Sequence, residues 1–391
     1  MPRSITSTRV LILNLIALAV PPARSEHHDA IIDWVRSRGG FFSDKIEIRR
    51  AEPDDPNSHL GVFATKNISA KERLLEVPKS CFIALGGDEV LTASTDDDDG
   101  FYWKNVCSLS KKLMKEMELG ADSDYAPYIA YVNAQKTGQI PATWSNAGKD
   151  LLRTVLDEGR NLAYGNNFLP PKNMVDWIDI HLKQAGCIDA EDPFQEHAAA
   201  ITVQRGYDTA LIPIWDMFNH DNNLLNTEND SMNEKFGLRV RAAEEIDEGE
   251  EIFATYNQCV DCEGISDWWG TPEILRDFGF VERYPQQWVF LGSDDMYIWF
   301  TMEKPESGSG EPVAYFWQHG KPDEEGRPNE GNILFLREQL GRLKKVSTVE
   351  LKERGGVPEN EWNIILQFHH AATAAISGVL KAALQRGYDE L

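Results

Sequence analysis

The chain has 391 residues, 42% of them hydrophobic, so it can bury a sizeable core in two or three structural units. Its formal net charge of -24 argues against a nucleic-acid-binding surface, which needs a basic patch to neutralise phosphates. No GxGxxG motif follows a predicted strand and no Walker-type loop is present, which disfavours a Rossmann cofactor fold or a phosphate-binding NTPase.

The first 25 residues have the pattern of a secretory signal peptide. Two arginines precede an apolar run at residues 10–20, which Pro21-Pro22 ends, and Ala23 and Ser25 are small residues at the positions that signal peptidase reads. The apolar run is too short for a comfortable membrane span, so we expect no stable membrane insertion after cleavage. An uncleaved anchor or a chance apolar tail is the alternative.

The last four residues, 388–391, read YDEL and differ from a KDEL-type retrieval signal only at the first position. Together with a signal peptide, this ending predicts the secretory pathway and residence in the lumen of the endoplasmic reticulum. Another compartment entered by the secretory route is the alternative. Asn67-Ile68-Ser69 and Asn229-Asp230-Ser231 are then candidate glycan acceptors, although such triplets also arise by chance.

The elements after the signal begin with a short helix predicted over residues 29–38, which a Gly-Gly pair ends. Residues 46–48 and 60–78 are predicted as strands, the second range forming a hairpin around the polar stretch 65–71. Residues 100–205 then show mostly helical spacing, including one helix near residues 174–182. On composition this block is either an insertion in the surrounding domain or a separate helical domain.

Two later strands end in polar side chains. Residues 211–220, LIPIWDMFNH, are predicted as an apolar strand-like run that ends in a polar cluster. Residues 236–240 and 252–256 are predicted as further strands, and the second ends at Tyr256. Polar groups gathered where buried strands stop are a common way to build a site on a rigid scaffold. The polar cluster consists of Asp216, Asn219 and His220.

Beyond residue 285 the pattern is mixed. The last helix predicted in this region carries one apolar stripe, which is interpreted as a cap on the preceding domain or a partner-docking surface. The predicted strands are 288–291 and 313–317, the predicted loops 305–312 and 321–331, and the predicted helices 332–345 and 361–385.

Five cysteines do not make a disulfide framework for a chain of this length. The one pair close in sequence, Cys259 and Cys262, directly follows Tyr256. No second CxxC or CxH pair follows, so a tetrahedral zinc site lacks two ligands. A plain loop pair, a disulfide and, last, a metal site remain open for these two residues.

Four blocks stand in an order that resembles the SET-domain protein methyltransferases, in particular the subfamily that includes the Rubisco large-subunit and actin methyltransferases. Residues 59–80, HLGVFATKNISAKERLLEVPKS, are similar to the opening hairpin of SET domains. Residues 211–220 and 249–257 resemble the Asn-His motif and the catalytic tyrosine that follows it. Residues 271–285, TPEILRDFGFVERYP, resemble the segment after that tyrosine in the subfamily.

The resemblance implies a site built around S-adenosylmethionine. Tyr256 would be the catalytic residue, with its hydroxyl near the reacting methyl group and the incoming amine. Asn219 and His220 would hold the cofactor largely through backbone polar groups, and Arg205 and Asp216 would line the cofactor and lysine sites. No metal is expected. The implied cofactor-binding residues are His59, Leu60, Gly61, Arg205, Asp216, Asn219 and His220.

The resemblance also implies an α+β fold, in which the SET-domain β fold with its pseudoknot carries a helical insertion and precedes a mixed, largely helical C-terminal region. The expected boundaries are a signal peptide over 1–25, a catalytic domain over 26–285 with the insertion near 100–205, and a strand-plus-helix region over 286–391. The implied substrate is a protein with an accessible lysine. Histidine is the runner-up acceptor because one relative methylates a histidine in actin. No nucleic-acid partner is expected.

Three residues depart from the family pattern. His59 stands where the first glycine of a Gly-x-Gly pair is usual, Gln204 replaces a serine, and Asn257 follows Tyr256 where glycine is usual. A non-enzymatic SET-fold protein that binds basic segments in an acidic cleft therefore stays open as a second hypothesis. A redox protein that uses the two nearby cysteines ranks last, because the strand-CxxC-helix setting is missing.

Overall fold

The computed structural model describes residues 26–52, 54–55, 58–86, 98–156, 174–189, 191–207, 209–233, 237–257, 270–291, 297–304, 312–318, 321–325 and 330–385. The predicted signal peptide, the Cys259 and Cys262 pair and the YDEL ending lie outside these residues. No helix within the described ranges has the length and apolar character that a membrane crossing requires.

The helices predicted near residues 29–38, 332–345 and 361–385 are confirmed, and helices fill much of the described part of the block 100–205. The helix predicted near 174–182 is a π-helix in its second half, Ile178–Lys183. The α-helices of the described chain are α1 (Glu26–Ser37), α2 (Asp98–Leu119), α3 (Ala126–Asn133), α4 (Asn146–Leu156), α5 (Pro193–Arg205), α6 (Thr271–Phe278), α7 (Glu330–Val349) and α8 (Glu359–Gln385).

Two strands lie within the predicted range 60–78, but they belong to different sheets, so the prediction that they pair as a hairpin is wrong. Residues 321–325, predicted as loop, form a strand. The strands of the described chain are β1 (Phe41–Phe42), β2 (Ile46–Arg50), β3 (Leu60–Ala64), β4 (Arg73–Val77), β5 (Ile83–Ala84), β6 (Gly206–Tyr207), β7 (Ala210–Leu211), β8 (Asn219–His220), β9 (Thr227–Asn233), β10 (Gly237–Ala242), β11 (Glu251–Ala254), β12 (Gln286–Leu291), β13 (Tyr297–Glu303), β14 (Val313–Gln318) and β15 (Lys321–Glu325).

The prediction of a strand-like run over 211–220 is wrong. β7 ends at Leu211, a 3₁₀ turn occupies Trp215–Met217, and β8 is only two residues long. The chain turns at Ile214, which has φ 71°, a conformation that a β-branched residue adopts at a cost of about 1–3 kcal/mol. Ile214 is fully buried, so the surrounding core holds it there, and hydrophobic pattern alone does not reveal such a turn.

Two four-stranded sheets position the site. One has the order β1-β4-β10-β9 and the other β2-β3-β11-β8. In the second sheet β11 pairs antiparallel with β3 and parallel with β8, so it brings the start of β3 next to Asn219 and His220. A three-stranded sheet, β5-β7-β6, and the meander β12-β13-β14-β15 complete the β structure of the described residues.

The described chain buries its apolar side chains in two clusters. The first packs the two site sheets with α1, α2, α3 and α5. The second packs the meander with α7 and α8, and it also takes up α4 from the predicted insertion. The apolar stripe of α8, which includes Phe368 and Ile376, is fully buried in this second cluster, so it serves packing.

A carboxylate joins the predicted insertion to the C-terminal region. Glu361 at the start of α8 accepts hydrogen bonds from the Ser145 backbone N–H at 3.0 Å and from the Ser145 hydroxyl at 2.6 Å. Ser145 directly precedes α4, where backbone N–H groups lack partners within the helix. The acid at the start of one helix therefore fixes the N-terminus of another.

A disulfide that the sequence did not reveal joins Cys107 in α2 to Cys187 after the π-helix. The two residues are separated by 80 positions, and spacing alone does not identify such a pair. In the chain-entropy account, closing a loop of that length stabilises the folded state by about 4–5 kcal/mol. The bond therefore fixes the two ends of the predicted insertion to each other.

Candidate active site

The proposed catalytic tyrosine lies where three strands meet. Phe253 and Ala254 at the end of β11 are aligned with Asn219 and His220 of β8. Tyr256 follows two residues after β11 ends, rather than ending the strand as predicted. Neighbouring residues in a strand point to opposite faces, so the side chains of Asn219 and His220 enter different surroundings.

The His220 side chain is fixed at both ring nitrogens. Its Nδ1 accepts the backbone N–H of Tyr256 at 3.0 Å, and its Nε2 lies 2.8 Å from Glu282 Oε2. Because Nδ1 accepts, Nε2 carries the hydrogen and donates to the carboxylate. The side chains of His220 and Glu282 are each 1% exposed, whereas His220 as a whole is only partly buried. The accessible atoms of His220 therefore belong to its backbone.

Glu282 is the centre of a buried hydrogen-bond network that the sequence reasoning missed. Besides His220, its carboxylate accepts the Asn257 side-chain amide at 2.9 Å and the Thr271 hydroxyl. Glu282 lies in the block 271–285, which also contains Glu273, Arg276, Asp277 and Arg283, so no local feature of the sequence singled it out. The network fixes the backbone on both sides of Tyr256, through His220 and Asn257.

The Tyr256 hydroxyl donates a hydrogen bond to the Phe218 carbonyl at 2.8 Å. The ring lies against Phe278, with centroids 4.5 Å apart, and against the His220 ring at 5.1 Å. Burial raises the pKa of Tyr256 to about 12, although the Arg205 charge opposes the rise. The phenol is therefore protonated at physiological pH and held in one orientation.

Arg205 connects the site to the predicted helical insertion. Its guanidinium donates to the Asp216 carbonyl at 2.6 Å and to Gln135 Oε1 at 3.0 Å, and it lies 5.5 Å from the centre of the Tyr131 ring. Burial alone would lower the pKa of Arg205, but Tyr131 and Asp216 raise it above its usual value. Arg205 is therefore a permanent positive charge near Tyr256. Tyr131 and Gln135, which sequence reasoning missed, come from α3 and the turn after it.

Asp216 has one satisfied and one unsatisfied carboxylate oxygen. Oδ2 accepts the hydroxyl of the fully buried Tyr128 at 2.9 Å. Oδ1 is buried and has no hydrogen-bond partner among the described residues. Burial raises the pKa of Asp216 to about 6, while Arg205 and Tyr128 oppose the rise. A buried acceptor without a donor is costly, so a hydrogen-bond donor that reached Oδ1 would be bound favourably.

The three residues predicted to approach the cofactor by main chain lie at the start of β3. The Leu60 carbonyl accepts the Asn219 side-chain amide at 2.7 Å, and the same amide donates to Glu251 Oε1 at 2.7 Å. Glu251 Oε2 lies 2.9 Å from Nε2 of His59, whose side chain is 54% exposed. A Cβ atom at Gly61 would meet the Glu251 carboxylate and the Asn219 amide, so a larger residue would have to displace these side-chain ends.

The predicted residues thus fall into two adjoining groups. Arg205 and Asp216 lie in the tyrosine cluster, where burial and their charges act on the pKa of Tyr256. His220 holds the Tyr256 backbone, whereas Asn219 joins Glu251 to Leu60 at the edge of β3. Glu251 links the groups electrostatically, because its charge also raises the pKa of Tyr256.

A cavity of about 330 Å³ lies on the insertion side of the site, between the turn after α3 and helix α5. Gln204, which precedes Arg205, lines it and donates to Gln139 at 3.4 Å. Polar residues such as Lys136, Glu196 and His197 form much of the remaining wall. Gln204, which stands where the family has serine, is therefore part of this cavity wall.

A family model described as the SET domain matches residues 59–257, about half of the chain. No curated protein matches the chain. Among solved structures, the SET domain of LSMT bound to lysine and AdoHcy has a TM-score of 0.52 and 12% identity, covering 92% of this chain and 91% of that one.

Two Rubisco LSMT structures are similar to the same extent. The complex with AdoMet has a TM-score of 0.51 and 12% identity, and the complex with sinefungin and monomethyllysine has 0.50 and 14%. Each covers 93% of this chain and 92% of its own. These likenesses confirm the expected α+β SET fold along nearly the whole length.

Proposed function

Because the chain belongs to the SET-domain family, we propose that it is an S-adenosylmethionine-dependent protein methyltransferase that modifies lysine. One observation carries the proposal. Tyr256, Arg205 and Asp216 adjoin one another beside β11, and a buried carboxylate oxygen in this cluster lacks a donor.

The charged groups present fit the cofactor, which bears an ammonium, a carboxylate and a sulfonium. Asp216 and Glu251 are anions suited to its positive groups, and Arg205 is a cation suited to its carboxylate. Asn219 and the accessible backbone of His220 offer further polar contacts. When bound, S-adenosylmethionine supplies a methyl group on a sulfonium sulfur, which passes to an acceptor nitrogen that has lost its proton. The solved LSMT structures bound to AdoMet or AdoHcy support this assignment.

Tyr256 would act by position rather than by proton transfer. Its hydroxyl is held on the Phe218 carbonyl and remains protonated, so it forms a fixed polar wall beside the acceptor nitrogen. The aromatic side chains of Phe278 and Phe280 lie against its ring and reduce the access of water. Fixed alignment of reacting groups can supply about 7–11 kcal/mol in favourable cases, so a rigid tyrosine suits a direct displacement.

The lysine acceptor is supported by the unpaired oxygen of Asp216. A lysine ammonium can donate to Oδ1, whereas a neutral imidazole offers one N–H and needs more width. The surrounding tyrosines, Tyr128 and Tyr131, remove the site from water, and this desolvation lowers the pKa of a lysine against the opposing effect of the Asp216 charge. A lowered pKa favours the neutral amine that attacks the methyl group. LSMT is itself described as bound to lysine and monomethyllysine.

The experiment is transfer of labelled methyl from S-adenosylmethionine to proteins of a secretory extract, with wild type and Tyr256→Phe in parallel. We expect labelled protein with wild type and a loss of about 100-fold or more with the variant, because the fixed hydroxyl is gone. Hydrolysis of the labelled protein then identifies the acceptor. Methyl-histidine would replace the lysine proposal by the histidine one, and equal labelling by both enzymes would remove the tyrosine from the mechanism.

We further propose that the chain works in the secretory route, with residence in the endoplasmic reticulum. The signal-like residues 1–25 and the YDEL ending motivate this proposal. The disulfide between Cys107 and Cys187 supports it, because disulfides persist in oxidising compartments and are rare in the cytosol.

A further inference from the structure

The two N-x-S triplets occupy different surroundings in the fold. Asn67 is exposed in the turn between β3 and β4, and Ser69 of the same triplet is exposed as well. Asn229 is only partly exposed and lies within strand β9. A glycan is bulky and hydrated, so it needs a side chain that leaves the surface.

The two polar atoms of the Asn67 side chain differ in their contacts. Its Oδ1 accepts the backbone N–H of Glu248 at 3.0 Å, while Nδ2 has no hydrogen-bond partner within the described ranges. The residue after it, Ile68, is 2% exposed and exchanges two backbone hydrogen bonds with Ile246. The turn is therefore rigid, and a sugar on Nδ2 leaves the bonds of Oδ1 and Ile68 intact.

The Asn229 side chain lies on the inward face of its sheet. Asn229 is aligned with Val240 and Thr227 with Ala242, so the four residues share one face. Val240 and Ala242 are fully buried, and the Thr227 hydroxyl donates to the Phe253 carbonyl at 2.7 Å. A glycan on Asn229 would have to enter this packed face, and it would displace strand β9 from β11.

We propose that Asn67 is N-glycosylated and that Asn229 is not. In the reaction a bond forms between Asn67 Nδ2 and the anomeric carbon of a sugar, and Nδ2 releases one proton. The bond from that carbon to its donor, a lipid pyrophosphate-linked oligosaccharide of the secretory compartment, breaks, and the lipid pyrophosphate leaves. The inference rests on the proposed secretory route and is independent of methyl transfer.

A glycan at Asn67 leaves the candidate active site open. The turn lies beyond the C-terminal end of β3, whereas Gly61 and Leu60 lie at its start. A strand of this length rises about 13 Å, so the sugar attaches well away from the predicted cofactor residues. A sugar at the turn between β3 and β4 therefore adds a solubilising group without covering the candidate active site.

The test expresses the full chain in eukaryotic secretory cells, as wild type and with Ser69→Ala, Asn67→Gln or Ser231→Ala. We expect a glycosidase-sensitive band in wild type and Ser231→Ala, and its complete loss in the other two. Ser69→Ala removes the acceptor triplet without touching the bond from Glu248 to Asn67, so it separates loss of the glycan from loss of the turn. Peptide mass spectrometry after enzymatic deglycosylation should find aspartate at position 67 only.

Disulfide mapping of the same samples separates the possible failures. A chain with Cys107 joined to Cys187 but without glycan has entered an oxidising compartment, and it would overturn the Asn67 assignment alone. A glycan on Asn229 would equally overturn it. A chain with neither glycan nor disulfide would overturn the secretory route as well. None of these three outcomes bears on binding of S-adenosylmethionine.

Discussion

Asn219 and His220 are neighbours in one short strand, yet two carboxylates in opposite surroundings hold their side chains. His220 bonds to Glu282, which is 1% exposed and has three further donors. Asn219 bonds to Glu251, which is 11% exposed and pairs with the exposed His59. The buried carboxylate belongs to the fold around Tyr256, and the other borders the predicted cofactor cleft.

This difference in burial distinguishes residues that stabilise the fold around the site from residues that bind the cofactor. A buried carboxylate with several donors fixes the backbone, and its loss leaves those donors unpaired. The carboxylate of Glu251 has two partners, one of them the exposed His59, so its loss leaves fewer donors unpaired and costs the fold less. Mutation of the two acids should therefore separate stability from binding.

The largest effect is expected from Glu282→Ala. The change leaves His220 Nε2, the Asn257 amide and the Thr271 hydroxyl without an acceptor, so the free energy of unfolding should fall by about 3–5 kcal/mol. Denaturant unfolding measures this, with the exposed Glu244→Ala as the matched control. A loss below about 1 kcal/mol would show that the network does not hold the site together.

Asp216 differs from both Glu282 and Glu251, because it is buried but incompletely paired. Its pKa is raised to about 6 from a usual 3.8, so the folded state binds the proton more tightly than the unfolded state does. Stability then falls as pH rises between about 4 and 6, by on the order of 3 kcal/mol in total. Asp216→Asn should remove that part of the pH dependence, which unfolding of both proteins from pH 4 to 7 measures. Identical pH profiles would contradict the raised pKa.

Glu251→Ala is expected to have a smaller effect on folding and a selective effect on binding. Asn219 keeps its bond to the Leu60 carbonyl, so stability should fall by only about 1 kcal/mol. Affinity for S-adenosylmethionine should fall about tenfold, because Asn219 and Gly61 lose the carboxylate between them. Calorimetry and unfolding on the same sample check both. Destabilisation equal to that of Glu282→Ala would end the distinction.

The smallest effect is expected from His59→Ala. The ion pair with Glu251 is exposed on the histidine side, and such pairs contribute at most about 1 kcal/mol. Affinity for S-adenosylmethionine should change no more than about fivefold. A larger loss in calorimetry would mean that the His59 side chain contacts the cofactor, in addition to the main-chain approach that the resemblance implies.

The sequence predicted the parts of the site that lie close together along strands. Asn219 and His220 are adjacent, Tyr256 follows a strand pattern, and the structure brings them together because β8 and β11 pair in register. Local pattern also predicted the strands β3 and β4 and the long terminal helices, although β3 and β4 pair with other strands and not with each other. Hydrophobic periodicity and turn residues act over a few positions, and these elements are determined by signals of that range.

The rest depends on tertiary packing that no local pattern contains. Tyr131 and Tyr128 reach the site from the insertion, far in sequence from Asp216. Ile214 has a strained φ only because the core imposes it, so the predicted strand over 211–220 is broken. The Cys107 and Cys187 bond and the division of the insertion between two cores are likewise set by distant contacts.

The central claim is that this site binds S-adenosylmethionine. The most direct measurement is calorimetric titration of the purified chain lacking residues 1–25 with S-adenosylmethionine, with folding verified by circular dichroism on the same sample. We expect one-to-one binding by wild type and by Tyr256→Phe, since the variant loses a hydroxyl but no cofactor contact. Absence of binding by the folded wild-type protein would contradict the central claim and favour a SET-fold protein that binds basic segments without catalysis.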